Sequence, residues 1–213
     1  MRSFTHFLRR SRLLTSLTFP HLKNTPPTFT KPLFSTPFYT FSQCTKQSQN
    51  LLKSSYSGNG FCIEQLHVGC LAIYSYYVES NGEALIIDPQ NDISKYTELL
   101  KERKAKLKGV FLTHYHADYV AGHAELQKAF GCPIYFGPKA NDGKGVVVLK
   151  DYERITVGDV QLQCIHTPGH TEESSCLLLH DNTGKQSVLF TGDTVFLNEV
   201  GRPDLAVKSN LTA

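Results

Sequence analysis

The sequence predicts an α/β domain whose chemistry gathers along one edge of a sheet. Two observations carry this. Short apolar runs rich in β-branched and aromatic residues recur from Phe61 onward, separated by turn signals and by stretches of helical periodicity. Several of these runs end in loops that bear a carboxylate or an imidazole: Asp88, then His114 and His116, then His166 and His170, then Asp193. Chemistry-bearing residues far apart in sequence but all at strand ends are how α/β folds assemble a site.

The 213-residue chain, 40% apolar and 19% charged, has the composition of one ordinary globular domain with length to spare. Its charge is uneven. Residues 1–63 hold eight Lys or Arg and no Asp or Glu, so residues 64–213 carry fourteen basic and nineteen acidic groups, a net of −5. A mildly acidic body lacks the electrostatic footprint of a nucleic-acid-binding protein. No apolar run approaches the ~18–20 residues of a membrane-spanning helix, so no span is expected. Six cysteines with neither a CxxC pair nor zinc-ribbon spacing read as free thiols in a reducing compartment, with Cys164 and Cys176 as small buried hydrophobes.

Residues 1–60 read as a segment outside the fold. Arg2, Arg9, Arg10 and Arg12 interleave with Phe4, Phe7, Leu8, Leu13 and Leu14, and a Ser/Thr/Pro-rich run follows. Arg-rich, hydroxyl-rich and acid-free is the composition of a mitochondrial transit peptide, here with a disordered linker behind it. It predicts a matrix protein cleaved between residues 35 and 60. The folded domain is expected over residues 61–213.

Within that domain Phe61–Val68 and Leu71–Val78 read as strands. Asn81-Gly82 is a two-residue hairpin signal leading into Ala84–Ile87, which ends at Asp88-Pro89. Asn91 or Asp92 can cap a helix through about Ala105, with Ile93, Tyr96, Leu99 and Leu100 on one face. Val110–Leu112 is a short buried strand feeding Thr113-His114-Tyr115-His116-Ala117-Asp118-Tyr119, and Asp118–Phe130 reads as a helix stopped by Gly131. Strands follow at Ile134–Phe136, Val146–Leu149 and Val160–Ile165, then the loop Thr167-Pro168-Gly169-His170-Thr171. A hairpin pairs Cys176–Leu179 with Val188–Phe190 and ends at Thr191-Gly192-Asp193, with a further turn at Gly201-Arg202-Pro203-Asp204.

His114 and His116 at a strand end, Asp118 close behind, His170 on a stiff Pro-Gly loop and Asp193 behind a glycine form a donor set of imidazoles and carboxylates. Such a set suits Zn²⁺ or Fe²⁺ rather than Mg²⁺ or Ca²⁺, which prefer all-oxygen shells. His67 and His180 read as strand or turn residues and His166 as structural. Arg202 can pair with a substrate carboxylate or with Asp204, and the sequence leaves both open.

The series Thr-His-x-His-x-Asp, Thr-Pro-Gly-His-Thr and Phe-Thr-Gly-Asp-Thr resembles that of the metallo-β-lactamase fold, over residues 61 to about 210. The resemblance implies an αββα sandwich with a metal site at one edge, and places Asp88 where the family has an aspartate that orients metal ligands. The longer stretches Thr-His-Tyr-His-Ala-Asp-Tyr-Val-Ala-Gly-His, Thr-Pro-Gly-His-Thr-Glu-Glu-Ser-Ser-Cys and Gly-Asp-Thr-Val-Phe-Leu-Asn-Glu-Val-Gly-Arg-Pro-Asp resemble persulfide dioxygenases, in the branch often fused to rhodanese domains. That resemblance implies one Fe(II) per chain, with Zn as the alternative, held by His114, His170 and Asp193. These would form a 2-His-1-carboxylate triad that catalyses oxidation of glutathione persulfide by O₂ to sulfite and glutathione. His116 and Asp118 would then orient the ligands, and Tyr119 and Arg202 would border the substrate.

Tyr119 departs from dinuclear hydrolases of this fold such as glyoxalase II, which place a histidine there. A phenol with an ordinary pKa of about 10 is a poor ligand, so one metal is expected rather than two. A glyoxalase II-type hydroxyacylglutathione thioester hydrolase is the alternative. The family's domain continues beyond the Gly-Arg-Pro-Asp turn, whereas nine residues follow Asp204 here. This predicts a sandwich incomplete at its C-terminus, and a third reading, an inactive truncated fragment. No oligomeric state follows from the sequence.

Overall fold

Successive residues of each strand face opposite ways, which separates the apolar cluster between the sheets from the two on the outer side of the larger sheet. The computed structural model describes residues 51–68, 73–141 and 143–205. Seven strands form the larger sheet in sequence order: β1 (Leu51–Gly58), β2 (Phe61–Val68), β3 (Ile73–Ser80), β4 (Glu83–Ile87), β5 (Lys106–Leu112), β6 (Ile134–Phe136) and β7 (Val146–Val148). Four more, β8 (Arg154–Val157), β9 (Val160–His166), β10 (Ser175–His180) and β11 (Gln186–Phe190), form a second sheet in the order β11-β10-β9-β8. In β4, Leu85 and Ile87 join a cluster with Phe111, Val157, Leu162, Leu177 and Leu179 between the sheets. Their neighbours Ala84 and Ile86 face the other way, with Tyr77, Val110 and the helices. A strand buried on both faces reads as a continuous apolar run, as Ala84–Ile87 does.

Two helices cover the outer face of the larger sheet. In α1 (Ser94–Arg103), Tyr96, Leu99 and Leu100 are buried at helical spacing, and the Ser94 N–H donates to the Asp92 carboxylate at the helix start. Lys104 ends it in the left-handed region at φ 54°. In α2 (His123–Phe130), Leu126 is buried and Gly131 closes the helix at φ 64°. Among the described residues no helix covers the outer face of the smaller sheet, so three layers of the expected four are seen. Among the described residues no helix is long and apolar enough to cross a membrane.

The chain from β1 to β4 is an antiparallel meander, whereas β4, β5, β6 and β7 pair parallel. Asn81 and Gly82, at φ 45° and 74°, make the expected tight hairpin. That turn meets its counterpart on the smaller sheet: Gly158 N–H donates to Glu83, Asp159 N–H to Ser80 Oγ, and Asn81 to Asp159. The two sheets are thereby tied at one end. The parallel strands β4 and β5 finish at the other end, where the site lies.

Three expectations need correction. The domain boundary at residue 60 falls inside the sheet, because Leu51–Gly58 pairs along its whole length with Phe61–Val68. Asn59-Gly60 is itself a hairpin turn, with Gly60 at φ 79°. The rest of the expected targeting segment lies outside the described residues. The second helix starts at His123 rather than Asp118, since Gly122 donates to the Pro89 carbonyl and approaches Gln90 so closely that a β-carbon would fall 2.2 Å from its oxygen. Finally, Arg154–Val157 is a strand with Ile155 and Val157 buried, a four-residue alternation too short to stand out in the sequence. Cys164 and Cys176 are buried free thiols as expected, and Cys62 and Cys132 are free as well.

Candidate metal centre

The site begins at the turn after β4. Asp88 sits at φ 48°, a left-handed conformation that Asp tolerates better than most residues, and its N–H bonds the Phe111 carbonyl on β5. This aims its buried carboxylate along the end of the neighbouring strand. There Thr113 donates twice, its N–H to Oδ1 and its hydroxyl to Oδ2, each at 2.8 Å. His116 Nε2 lies 3.0 Å from Oδ1. His114 is 3% exposed, with Nδ1 3.0 Å from the Thr113 hydroxyl and Nε2 pointing toward Asp193.

The smaller sheet supplies the rest. Thr167 N–H bonds Ser174 O across the base of the loop that carries His170. Ser175 N–H bonds Thr113 O, joining this loop to the end of β5, and the Tyr115 N–H donates to the buried Glu173 carboxylate at 2.9 Å. Asp193 follows β11 after Gly192, which takes φ 47° and packs so tightly on Thr113 that a β-carbon would lie 2.4 Å from its hydroxyl. Gly201 lies over Asp193 and His170 in the same way.

His114, His170 and Asp193 thus converge, their ligand atoms all within 4.8 Å of one another. The Asp193 carboxylate is 3.8 Å from His114 Nε2 and 3.6 Å from His170 Nε2. Three ligands about 2.1 Å from one ion on one face of it stand roughly 3.0–3.4 Å apart, so the set needs only a small contraction to close on a metal. Two imidazoles with one carboxylate suit Fe²⁺ or Zn²⁺, and three donors on one side leave the other side open.

The electrostatics agree with that fit. Burial pushes the His114 ring below the usual imidazole value, with His116 acting in the same direction, so the ring favours the neutral form that ligates. For His116, burial also lowers the value, but the hydrogen bond and charge of Asp88 outweigh it and the net direction is up. Burial, then the Asp88 charge, drives the Tyr119 phenol far above its usual value.

The remaining expected residues fare differently. Asp118 is exposed and makes no hydrogen bond among the described residues, so it does not orient a ligand by contact; its charge alone reaches His116. The loop, unwound as far as Gly122, carries it outward. Tyr119 is brought in, its ring tilted against His116 with centroids 4.5 Å apart, and its hydroxyl donates to the Asp88 carbonyl at 3.3 Å. The Arg202 fork is taken by Asp204, at 3.2 and 2.7 Å, so the turn is tied to itself. His67 stacks on Tyr74, His166 bonds the Glu172 carbonyl and His180 bonds Gln163, all structural as expected. Thr113, Glu173, Gly192 and Gly201 stand within the sequence motifs, but nothing local assigns them a role. Only their positions beside a histidine, a loop base or a strand end could have signalled them.

The profile of the Metallo-beta-lactamase superfamily matches residues 68–212, and the chain belongs to that family. It is 36% identical over 135 residues to a probable polyketide biosynthesis zinc-dependent hydrolase, PksB, of Bacillus subtilis, covering 60% of this chain and 57% of that protein. A probable hydroxyacylglutathione hydrolase of Schizosaccharomyces pombe is 34% identical over 142 residues, covering 63% of this chain and 54% of that one. The chain therefore spans a little over half the length of these two relatives. Among solved structures, a metallo-beta-lactamase from Staphylococcus aureus superposes with a TM-score of 0.65 at 31% identity, over 70% of this chain and 48% of that one. ETHE1 from Myxococcus xanthus gives a TM-score of 0.61 at 26% identity, over 68% and 62%. Family and donor set together point to a metal-dependent enzyme.

Proposed function

We propose that this chain carries the catalytic centre of a mononuclear iron persulfide dioxygenase acting on glutathione persulfide in the mitochondrial matrix. One observation carries the choice of a single metal. Position 119, where a dinuclear relative places a histidine, holds a phenol that stays protonated and spends its proton on the Asp88 carbonyl. A second ion finds no imidazole there.

When bound, Fe(II) would supply the redox chemistry that joins a persulfide sulfur to O₂. His114, His170 and Asp193 would hold it. Asp88 fixes the large-sheet side by holding Thr113 and His116, and Tyr119 seals the flank behind His116. The overall reaction consumes one persulfide, one O₂ and one water, and gives glutathione and sulfite. The motif series around His114, His170 and Asp193 supports this reading.

A second reading has its own support. The hydroxyacylglutathione hydrolases of S. pombe and, at 31% identity, of Arabidopsis thaliana belong to the same family, and a zinc-loaded triad would suit thioester hydrolysis. Both readings take a glutathione-linked substrate. The full chain, loaded anaerobically with Fe(II) or with Zn²⁺, separates them. O₂ uptake and sulfite release from glutathione persulfide by the iron form, with one metal per chain, is the expected result. Iron-loaded protein without O₂ uptake overturns it, and two metals per chain with lactoylglutathione turnover establishes the hydrolase. Import of the chain into isolated mitochondria, with shortening at its N-terminus, tests the location.

A further inference from the structure

We infer that the Thr113 hydroxyl is a positioning group for the metal: it sets which nitrogen of His114 carries the proton and so leaves Nε2 free to ligate. The inference rests on the metal-centre part of the proposed function and is indifferent to which reaction follows.

A hydroxyl has one proton to give. Thr113 Oγ1 lies 2.8 Å from Asp88 Oδ2, and that carboxylate also faces the Thr113 N–H and His116 Nε2, so it serves as the acceptor for all three. With its proton spent on Asp88, Oγ1 presents lone pairs to His114 Nδ1 at 3.0 Å. The contact is satisfied only when Nδ1 brings the proton. A neutral imidazole protonated at Nδ1 has its lone pair on Nε2, the atom directed at Asp193. The opposite tautomer would place a proton where the ion must sit and leave two lone-pair sites facing each other across the Thr113–His114 contact.

Thr113 is itself held in place on several sides. Its N–H is fixed by Asp88, its carbonyl accepts from Ser175 N–H, and its hydroxyl occupies space that exists because residue 192 lacks a β-carbon. His170 has no such device: its Nδ1 is buried without a hydrogen-bond partner. Among the described residues of the triad, His114 is therefore the imidazole whose ligating nitrogen the protein selects beforehand. Thr113 acts through His114 and does not itself touch the metal or the substrate.

The test compares Thr113→Val, which keeps the shape and loses the hydroxyl, with Thr113→Ser, which keeps the hydroxyl. Zn²⁺ affinity of the full chain is measured by competition with a chromophoric chelator, alongside urea unfolding of the metal-free protein. Thr113→Val is expected to weaken Zn²⁺ binding by about 10–100-fold, with Thr113→Ser within about threefold of the parent. Long-range ¹H–¹⁵N correlation of the metal-free parent should show His114 protonated at Nδ1, a signature that a merely structural role would not move, and Thr113→Val should lose that preference. Unchanged Zn²⁺ affinity in Thr113→Val overturns the inference. So does a Thr113→Ser variant as weak as Thr113→Val, or His114 protonated at Nε2 in the parent. If Thr113→Val does not fold, the parent spectrum and Thr113→Ser still decide. A parent that binds no Zn²⁺ overturns the metal centre itself, and this inference with it.

Discussion

At the end of the larger sheet, one buried carboxylate takes hydrogen bonds from Thr113 twice and from His116 once, and His114 leans on the same threonine. At the end of the smaller sheet, His170 keeps a buried nitrogen without a partner, and Asp193 stands with its side chain 43% exposed. The first half is organised by the protein's own hydrogen bonds and will hold its shape without an ion. The second half has its backbone in place but leaves two side chains waiting. An ion bound by all three ligands would therefore do more than complete a site. It would fasten the open end of the two sheets, whose other end the Asn81-Gly82 and Gly158-Asp159 turns already join.

Substitutions on the two sides should separate stability from metal binding. The largest effect is expected at Asp88. Asp88→Ala strands several buried donors and puts a less suited residue at positive φ, so metal-free protein should lose about 3–5 kcal/mol of stability in urea unfolding. Asp193→Ala is the counterpart: metal-free stability should change by less than about 0.5 kcal/mol. Metal affinity should fall by more than about 100-fold, the upper end of what loss of a supporting group alone costs. Metal at about 100 times the parent's dissociation constant should stabilise the parent by about 2.7 kcal/mol and Asp193→Ala by less than about 0.4 kcal/mol. An Asp193→Ala variant destabilised as much as Asp88→Ala would abolish the contrast between the halves.

Tyr119→Phe is expected to cost about 0.5–1.5 kcal/mol, the worth of one hydrogen bond, and to leave one metal per chain by elemental analysis. A rise to two metals would show that the phenol, and not the missing imidazole, excludes the second ion. The smallest effect lies far from the centre, at the turn between β10 and β11. Thr183, Lys185 and Asn59 hydrogen bonds hold the Asp181 carboxyl down at about 2. A value below the unfolded one means that its stabilisation is complete above the ordinary value of 3.8 and is lost as pH falls through about 2. Asp181→Asn should flatten the acid limb of stability in that window while leaving metal binding untouched.

Strand ends were legible because alternation and turn chemistry are local. Asn81-Gly82 announces its hairpin, and Asp88, His114, His170 and Asp193 each stand at the end of an apolar run or in a Pro-Gly loop. The Asn59-Gly60 turn lies in an acid-free stretch whose composition reads as a tail, although a strand at a sheet edge can be acid-free and polar and still pair along its whole length. The length of the His loop is hidden for another reason. Residues 118–122 have acceptable helical periodicity, and what unwinds them is the contact of Gly122 with Pro89 and Gln90, which no local pattern encodes. The role of Thr113 is likewise absent from any local pattern, because it exists only once three separate segments meet.

Gly201 has a consequence for how damage to such a gene would look. A β-carbon there would lie 1.7 Å from the Asp193 carbonyl oxygen and 3.1 Å from the nearest His170 side-chain atom. Even alanine would have to push the aspartate's strand end away from the histidines. Every ligand would still be present in the translated sequence. Gly201→Ala is therefore expected to bind metal weakly although all three ligands are retained, which competition for Zn²⁺ with a chromophoric chelator checks.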